Sequence, residues 1–169
     1  MWCAMHVKGG NEVQMETFVS NLLPNDFDAQ CFHLTRYRRK KYGGEWRTVQ
    51  ENILPGYIFI TTDKPEQLHR ELKKAKKPQI LWSNDEYVAT LEEREADLIE
   101  KITGYNENPG EIGLSKIAVE ENGQIKILSG PLLQVEDLIK KIDFHKRIAE
   151  IETDFMGQKK MLYLGIEFD

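Results

Sequence analysis

The residues LPGYIFI, at positions 54–60, carry the most information about the architecture, because they form a strongly apolar segment entered through a Pro-Gly bend. A short apolar run bounded by turn residues is typical of a buried strand, and we expect this one at the centre of a sheet. Side chains alternate along a strand, so Tyr57 and Phe59 share one face and Ile58 and Ile60 the other.

The residues around this segment predict further strands and helices. The predicted strands are 2–8, 29–37, the hairpin arms 37–42 and 45–50 on either side of Gly43-Gly44, and 79–82. One helix is predicted to open at Asn11 with Gln14 completing a capping box, a second after Asp63, and a third at Thr90 with Glu93 completing its capping box. Strand, helix, paired strands, helix and strand is the order of an α/β plait with helices on one face of a mainly antiparallel sheet.

The pattern changes near residue 105. Residues 106–111 are polar and rich in turn formers, and are predicted to be a linker. The short alternating segments beyond them, at 125–128, 138–142, 147–153 and 160–164, predict a small barrel of about five strands. The predicted fold class is α+β, with a plait over residues 1–105 and a small β-barrel over residues 112–169.

The composition limits the kinds of function to consider. The chain has 169 residues, and its 23 Lys and Arg against 28 Asp and Glu argue against general coating of nucleic acid, so any such contact needs a local patch. Cys3 and Cys31 lack a paired spacing, which suits a reducing compartment. We expect a cytoplasmic protein without a signal peptide or membrane anchor.

Two basic clusters are candidate nucleic-acid contacts, because cations neutralise phosphates and neighbouring aromatic rings can stack on unpaired bases. Arg147 is also a candidate for reading a base edge. The alternative is that both clusters are solvated turns whose charges keep the protein soluble. The hairpin cluster comprises Arg36, Arg38, Arg39, Lys40, Lys41 and Arg47, and the barrel cluster comprises Lys140, Lys141, His145, Lys146 and Arg147.

The segment at 54–60, the turn SGPL at 129–132 and the segment KIDFHKR at 141–147 resemble, in this order, the NusG family of transcription elongation factors. The likeness is greatest to its specialised LoaP antiterminators, which are related to RfaH and UpxY. It implies an N-terminal NusG-like domain and a C-terminal SH3-like KOW barrel. It also implies that Tyr57 and Phe59 form an exposed patch that binds the clamp helices of RNA polymerase, although both residues could instead belong to the core.

The resemblance further implies that the factor suppresses pausing and termination, that the hairpin faces upstream DNA, and that the barrel recruits a nascent RNA hairpin, a ribosomal protein or a termination factor. The chain departs from the family at Gln134 and Asp137, where glycine is common in the KOW turn. We do not expect the barrel to refold as in RfaH, since its alternating apolar residues suit strands.

Other classes of function have weaker support. A general RNA-binding or ribosome-associated protein that does not bind polymerase is the main alternative. An enzyme is not expected, because phosphate-loop, nucleophile-elbow and paired-carboxylate motifs are missing from the sequence. A zinc site would need Cys3, His6, Cys31 and His33 to converge without any ligand-pair spacing, so neither a metal nor a cofactor is expected. We expect a monomer.

Overall fold

The computed structural model describes residues 1–75, 89–104 and 108–168. The chain forms two compact units, the first made of Met1–Leu34 and Leu54–Glu93, the second of Thr35–Ile53 and Arg94–Asp169. The predicted hairpin therefore belongs to the same unit as the predicted barrel, although it lies between two segments of the first unit in sequence. The domain boundaries expected at 105 and 112 stay a prediction.

The described residues form twelve strands, three α-helices and two short 3-10 turns. The strands are β1 (Trp2–His6), β2 (Ala29–Phe32), β3 (Thr35–Tyr42), β4 (Glu45–Asn52), β5 (Tyr57–Thr62), β6 (Ala89–Thr90), β7 (Glu111–Ile112), β8 (Ser115–Val119), β9 (Ile125–Ser129), β10 (Ile139–Asp143), β11 (Ile148–Phe155) and β12 (Gln158–Glu167). The helices are α1 (Glu12–Leu22), α2 (Pro65–Ala75) and α3 (Glu93–Thr103), and the 3-10 turns are Pro131–Gln134 and Glu136–Leu138. The strand predicted at 79–82 lies outside the described residues.

The first unit contains an antiparallel sheet with the described strand order β2-β5-β1-β6. The central position predicted for the segment at 54–60 is confirmed, since β5 pairs on both sides. Ile58 and Ile60 of β5 join one buried cluster with Met15 and Val19 of α1 and with side chains of α2. Both helices thus contribute to one apolar core on the same face of the sheet.

The bend before β5 is held by Glu12, the first residue of α1. Its buried carboxylate accepts hydrogen bonds from the backbone N–H groups of Gly56 (2.9 Å) and Gly10 (3.0 Å). Gly56 has a φ of 88°, a conformation that costs other residues free energy. The capping box predicted at Asn11 is wrong, because the Asn11 side chain makes no capping hydrogen bond. Instead, the Glu12 carboxylate accepts from the backbone N–H of Gly10, just before the helix.

The capping box predicted at Thr90 is also wrong. Thr90 lies in β6, where it pairs with Cys3 of β1, and α3 begins only at Glu93. In the second unit, the buried carboxylate of Glu95 accepts a hydrogen bond from the backbone N–H of Met156, at 2.7 Å. The first turn of α3 is thereby fastened to the turn between β11 and β12.

The second unit contains a five-stranded sheet with the order β10-β11-β12-β8-β9, and a three-stranded sheet with the order β4-β3-β7. Each of the four predicted barrel strands is present within a few residues of its expected bounds, and the α+β class is confirmed. The strand β8 was not predicted. The core of this unit draws on three elements. Its fully buried side chains include Ile117 of β8, Leu132 of the first 3-10 turn, and Leu164 and Ile166 of β12.

The hairpin of β3 and β4 packs against the five-stranded sheet at Gly165 of β12. A Cβ atom at Gly165 would overlap the carbonyl oxygen of Tyr37 and would lie 3.0 Å from the Cα atom of Arg38. The Tyr37 hydroxyl donates a hydrogen bond to the carboxylate of Glu111, at 2.9 Å. This position of β12 therefore requires glycine, because the backbones of β3 and β12 approach too closely for any side chain.

Candidate nucleic-acid interface

The hairpin turn at Gly43-Gly44 determines which cations of β3 share a face with which residues of β4. It pairs Arg36 with Glu51, so that Arg36, Arg38 and Lys40 surround one carboxylate. The distances from the Glu51 carboxylate to their nitrogens are 3.3 Å for Arg36 Nη2, 3.6 Å for Arg38 Nη1 and 2.8 Å for Lys40 Nζ. One acidic residue that the sequence analysis missed thus offsets part of the charge of three predicted site residues. The turn register, which places 36 opposite 51, was the available signal.

The ionisation of Glu51 follows from these contacts. Desolvation alone would raise its pKa, but the hydrogen bond from Lys40 and the charge of Arg36 outweigh it, so that the pKa lies below its ordinary value. Glu51 is therefore a carboxylate at neutral pH and competes with any phosphate for these cations.

Two of the hairpin arginines also bind the backbone of the barrel. Arg36 donates a hydrogen bond from Nη1 to the carbonyl oxygen of Tyr163, at 2.6 Å. Arg38 donates from Nε and Nη2 to the carbonyl oxygen of Lys146, at 3.3 and 3.2 Å. These side chains hold the hairpin against the barrel, in addition to any contact they make with a ligand.

Arg147 lies between two aromatic rings. Its guanidinium carbon is 4.1 Å from the ring centroid of Trp46 and 4.3 Å from that of Phe168, and Nη1 donates to the carbonyl oxygen of Phe168 at 3.3 Å. The backbone has a φ of 54°, an uncommon value for a residue with a Cβ atom. The base-reading role predicted for Arg147 would require the guanidinium to leave both rings, and that role stays a prediction.

The two predicted basic clusters meet in one groove of about 390 Å³, called here the basic groove. The groove brings together cations of the hairpin and of the barrel turn, which lie about a hundred residues apart in the sequence. The hairpin contributes Arg38, Arg39, Lys40, Lys41 and Trp46, and the barrel turn contributes His145 and Lys146.

The remaining predicted cations lie elsewhere or are engaged with acids. Lys140 Nζ is 3.5 Å from the Glu152 carboxylate on β11, and Arg47 Nη2 is 3.8 Å from the Glu45 carboxylate on its own strand. Lys141 is exposed on β10 and does not line the groove.

The barrel side of the groove is shaped by Asp143. Its Oδ1 accepts a hydrogen bond from the backbone N–H of Lys146, at 3.0 Å, which closes the turn. This hydrogen bond is the main cause of a pKa for Asp143 below its ordinary value, and the charge of Lys141 acts in the same direction. The side chains of His145 and Lys146 are held at an exposed turn.

Two exposed aromatic residues are neighbours in sequence of cations that line the groove. Tyr42, at the end of β3, is 47% exposed and follows Lys41 in the chain. Phe144, in the barrel turn, is 39% exposed and precedes His145. Such rings offer surfaces on which bases can stack.

The exposed patch predicted at Tyr57 and Phe59 is wrong for Phe59, which is 0% exposed. The ring of Phe59 stacks near that of Phe32, with centroids 6.3 Å apart, and Phe32 in turn makes an edge contact with Trp2. Neighbouring strands thus supply aromatic partners on this face. Tyr57 is half-buried and stacks on His6, with centroids 5.0 Å apart.

The residues considered for zinc do not form a metal site. His33 Nδ1 is paired with the Glu16 carboxylate, while His6 packs on Tyr57. Burial raises the pKa of Cys31 to about 12. Within residues 1–75, 89–104 and 108–168, no three His, Cys, Asp or Glu side chains are placed to hold a metal ion. In the same part of the chain, no helix is long and apolar enough to cross a membrane.

A four-stranded antiparallel sheet with helices on one face, together with a five-stranded sheet of the small-barrel kind, defines an α+β protein of plait and barrel. Among solved structures, the chain is similar to NusG of Thermotoga maritima, in a structure described as concerning domain interaction in that protein. The sequences are 20% identical, the match covers 97% of this chain and 92% of that chain, and the TM-score is 0.51. The fold is thus NusG-like, with an SH3-like barrel, as expected. No protein-family model matches the chain, and no curated protein matches it.

Proposed function

We propose that this protein is a non-enzymatic transcription elongation factor of the NusG kind, which binds RNA polymerase and also contacts nucleic acid through the basic groove. The NusG-like fold over nearly the whole chain supports the polymerase part of the proposal. The observation that carries the nucleic-acid part is the convergence of two separate cationic clusters in one groove beside Trp46. A groove of this composition suits a phosphate backbone.

The resemblance to the LoaP antiterminators extends this proposal to processive antitermination. Such a factor binds the elongating state of polymerase more tightly than the paused state, which shifts the population towards elongation. Recruitment would occur through a nascent RNA hairpin, with upstream DNA, a ribosomal protein or a termination factor as further partners. The protein would act in the cytoplasm as a monomer.

The proposed polymerase contact is centred on Tyr57, with Phe59 in a supporting position. Tyr57 retains partial exposure at the start of β5, whereas Phe59 is packed among aromatic rings two residues further on. Polymerase clamp helices would therefore meet the Tyr57 side chain, and Phe59 would maintain the strand beneath it.

Binding of the full chain to core RNA polymerase tests the proposal, together with readthrough of a terminator in a purified transcription system. We expect binding and increased readthrough. The contact residue is tested by Tyr57→Ala, which should weaken this binding. Its control is Val13→Ala, since Val13 is a strongly exposed apolar residue of α1 in the same unit. If the protein binds RNA but neither binds polymerase nor changes readthrough, a general RNA-binding protein is the better account.

A further inference from the structure

We propose that the basic groove binds a short unpaired stretch of polynucleotide, and that this one stretch contacts the hairpin and the barrel turn at the same time. The inference rests on the proposed nucleic-acid function and specifies the form of the ligand. Unpaired RNA and unpaired DNA share the chemistry that the groove would recognise, namely phosphates with freely accessible base faces.

The way the hairpin is held argues for an unpaired ligand. A free two-stranded ribbon can enter the major groove of a DNA duplex. Here, however, Arg36 and Arg38 bond to the barrel backbone, and Trp46 packs on Arg147 of the barrel turn. The hairpin is thus held against the barrel at three of its residues, which disfavours insertion as a free ribbon.

The positions of the cations also favour a single backbone. Lys41 on one wall and Lys146 on the other are both exposed and line the same concave space. Arg39, which also lines the groove, is held on the hairpin by hydrogen bonds to Thr48 Oγ1, at 2.9 Å, and to the Trp46 carbonyl oxygen, at 3.4 Å. A flexible strand can pass between the two walls and present phosphates to both, whereas a duplex carries its phosphates on a convex surface.

Exposed aromatic rings also favour an unpaired ligand. Tyr42 and Phe144 are exposed, and each is next in sequence to a cation that lines the groove. One edge of the Phe144 ring contacts Phe168, with centroids 5.6 Å apart. Rings at such positions can stack on bases only when the bases are unpaired. Since Glu51 already offsets part of the hairpin charge, base stacking would supply free energy that phosphate contacts alone do not.

The test measures binding of the full chain to a labelled single strand of about a dozen nucleotides, a length within the range of small single-strand sites. One arm uses RNA, a second uses DNA of the same sequence, and a third uses the corresponding duplex. The variants are Lys41→Ser, Lys146→Ser, Tyr42→Ala and Phe144→Ala, each checked for folding by circular dichroism. The matched control is Lys159→Ser. Lys159 lies on β12, its side chain is 79% exposed, and it pairs with Asp154 at the end of β11 that is remote from the barrel turn. An extended strand of this length spans about 25 Å, so the control is well beyond the screening length of about 8 Å from the groove.

We expect both lysine variants to weaken the same single strand by about tenfold each, and to reduce the slope of log affinity against log salt by about 0.7 per lost contact. The two aromatic variants should weaken single strands by at least about fivefold and leave the duplex unchanged. Lys159→Ser should change little. Equal losses for RNA and DNA would support recognition of their shared chemistry, and a larger loss for one would identify which strand the groove takes.

Three results would overturn the inference. The first is equal affinity of the wild type for the duplex and for the single strand. The second is that one lysine variant loses only RNA binding while the other loses only DNA binding. The third is a loss in Lys159→Ser as large as that in the groove variants. Polymerase binding of the same variants separates this inference from the proposed function. If the protein binds polymerase but no single strand, only the proposal for the groove is refuted. If it binds single strands but no polymerase, the proposal that it is an elongation factor is refuted.

Discussion

The guanidinium of Arg147 and the indole of Trp46 face each other at 4.1 Å, and this contact joins the barrel turn to the tip region of the hairpin. The other side of the guanidinium is covered by Phe168, at 4.3 Å. A cation between two rings is attracted to both faces and excludes water from between them. The groove therefore depends on a residue that sequence reasoning assigned to ligand binding.

Loss of this contact should destabilise the protein and should depend on both partners. Arg147→Ala and Trp46→Ala should each lower the free energy of unfolding by about 1–3 kcal/mol. In the double variant the losses should fall short of additivity by about 0.5–2 kcal/mol, because the two residues share one interaction. Urea unfolding of the four proteins measures this coupling. Strict additivity would show that the stacking contributes nothing.

Removal of the Glu51 charge should strengthen nucleic-acid binding. Glu51→Gln releases Arg36, Arg38 and Lys40 from a carboxylate that competes with phosphate, so affinity should rise severalfold and the salt slope should become steeper by up to about one unit. Glu45→Gln is the control, since it removes the same charge from the same strand without freeing those three cations. Weaker binding in Glu51→Gln would mean that Glu51 organises the groove and does not compete for it.

Acid should remove a stabilising contribution of Asp143. The pKa of Asp143 in the folded protein lies below its ordinary value, so the contribution is complete above the ordinary pKa and is lost as pH falls through the folded pKa. Asp143→Asn should be less stable than the wild type at neutral pH, and the difference should shrink in acid. Urea midpoints measured from pH 7 to pH 3, or as far as the wild type stays folded, test this. A difference that is constant with pH would exclude the ionised carboxylate as its cause.

Tyr57 and Phe59 should behave differently when truncated. Phe59→Ala should lower the free energy of unfolding by about 3–5 kcal/mol, as expected for a buried aromatic side chain. Tyr57→Ala should remain folded and should weaken binding to core polymerase. Thermal unfolding and polymerase binding, measured on both proteins, distinguish the two roles. If Tyr57→Ala binds polymerase as the wild type does, the polymerase contact lies elsewhere.

Gly165 should not tolerate a side chain. In Gly165→Ala the added methyl group meets the Tyr37 carbonyl oxygen, so β3 and β12 have to separate. We expect a loss of stability together with weaker single-strand binding, because the hairpin wall of the groove moves. Gly9→Ala is a useful comparison, since Gly9 has open space around its Cβ position and does not have a positive φ. Equal effects in the two variants would argue against the close approach.

Local patterns predicted much of the fold. The Gly43-Gly44 turn, the helix that follows Asn11 and the alternating strands of the barrel depend on neighbours in the sequence, and each of these features is present. The capping boxes failed because other groups took part: Glu12 bonds to Gly10 and Gly56, and β6 pairs Thr90 with Cys3. A four-residue motif carries no information about such competing partners, because they lie outside it in the sequence.

The candidate site was predicted only in part for a similar reason. The sequence shows both groups of cations, but their union in one groove needs contacts between residues about a hundred positions apart. The pairing of Glu51 with Arg36 follows from the turn register, whereas the burial of Phe59 depends on Phe32 from another strand. Long-range packing thus decided which aromatic and charged side chains remain accessible.

The docking of the hairpin on β12 has a consequence for synthesis. Arg36 and its acceptor Tyr163 are 127 residues apart, so a ribosome that adds about 5–20 residues per second adds Arg36 roughly 6–25 seconds before Tyr163 of the docking strand. During this interval Trp46 and the hairpin arginines have no barrel to pack against. The nascent chain therefore exposes a cationic, aromatic hairpin that the finished protein has folded against β12.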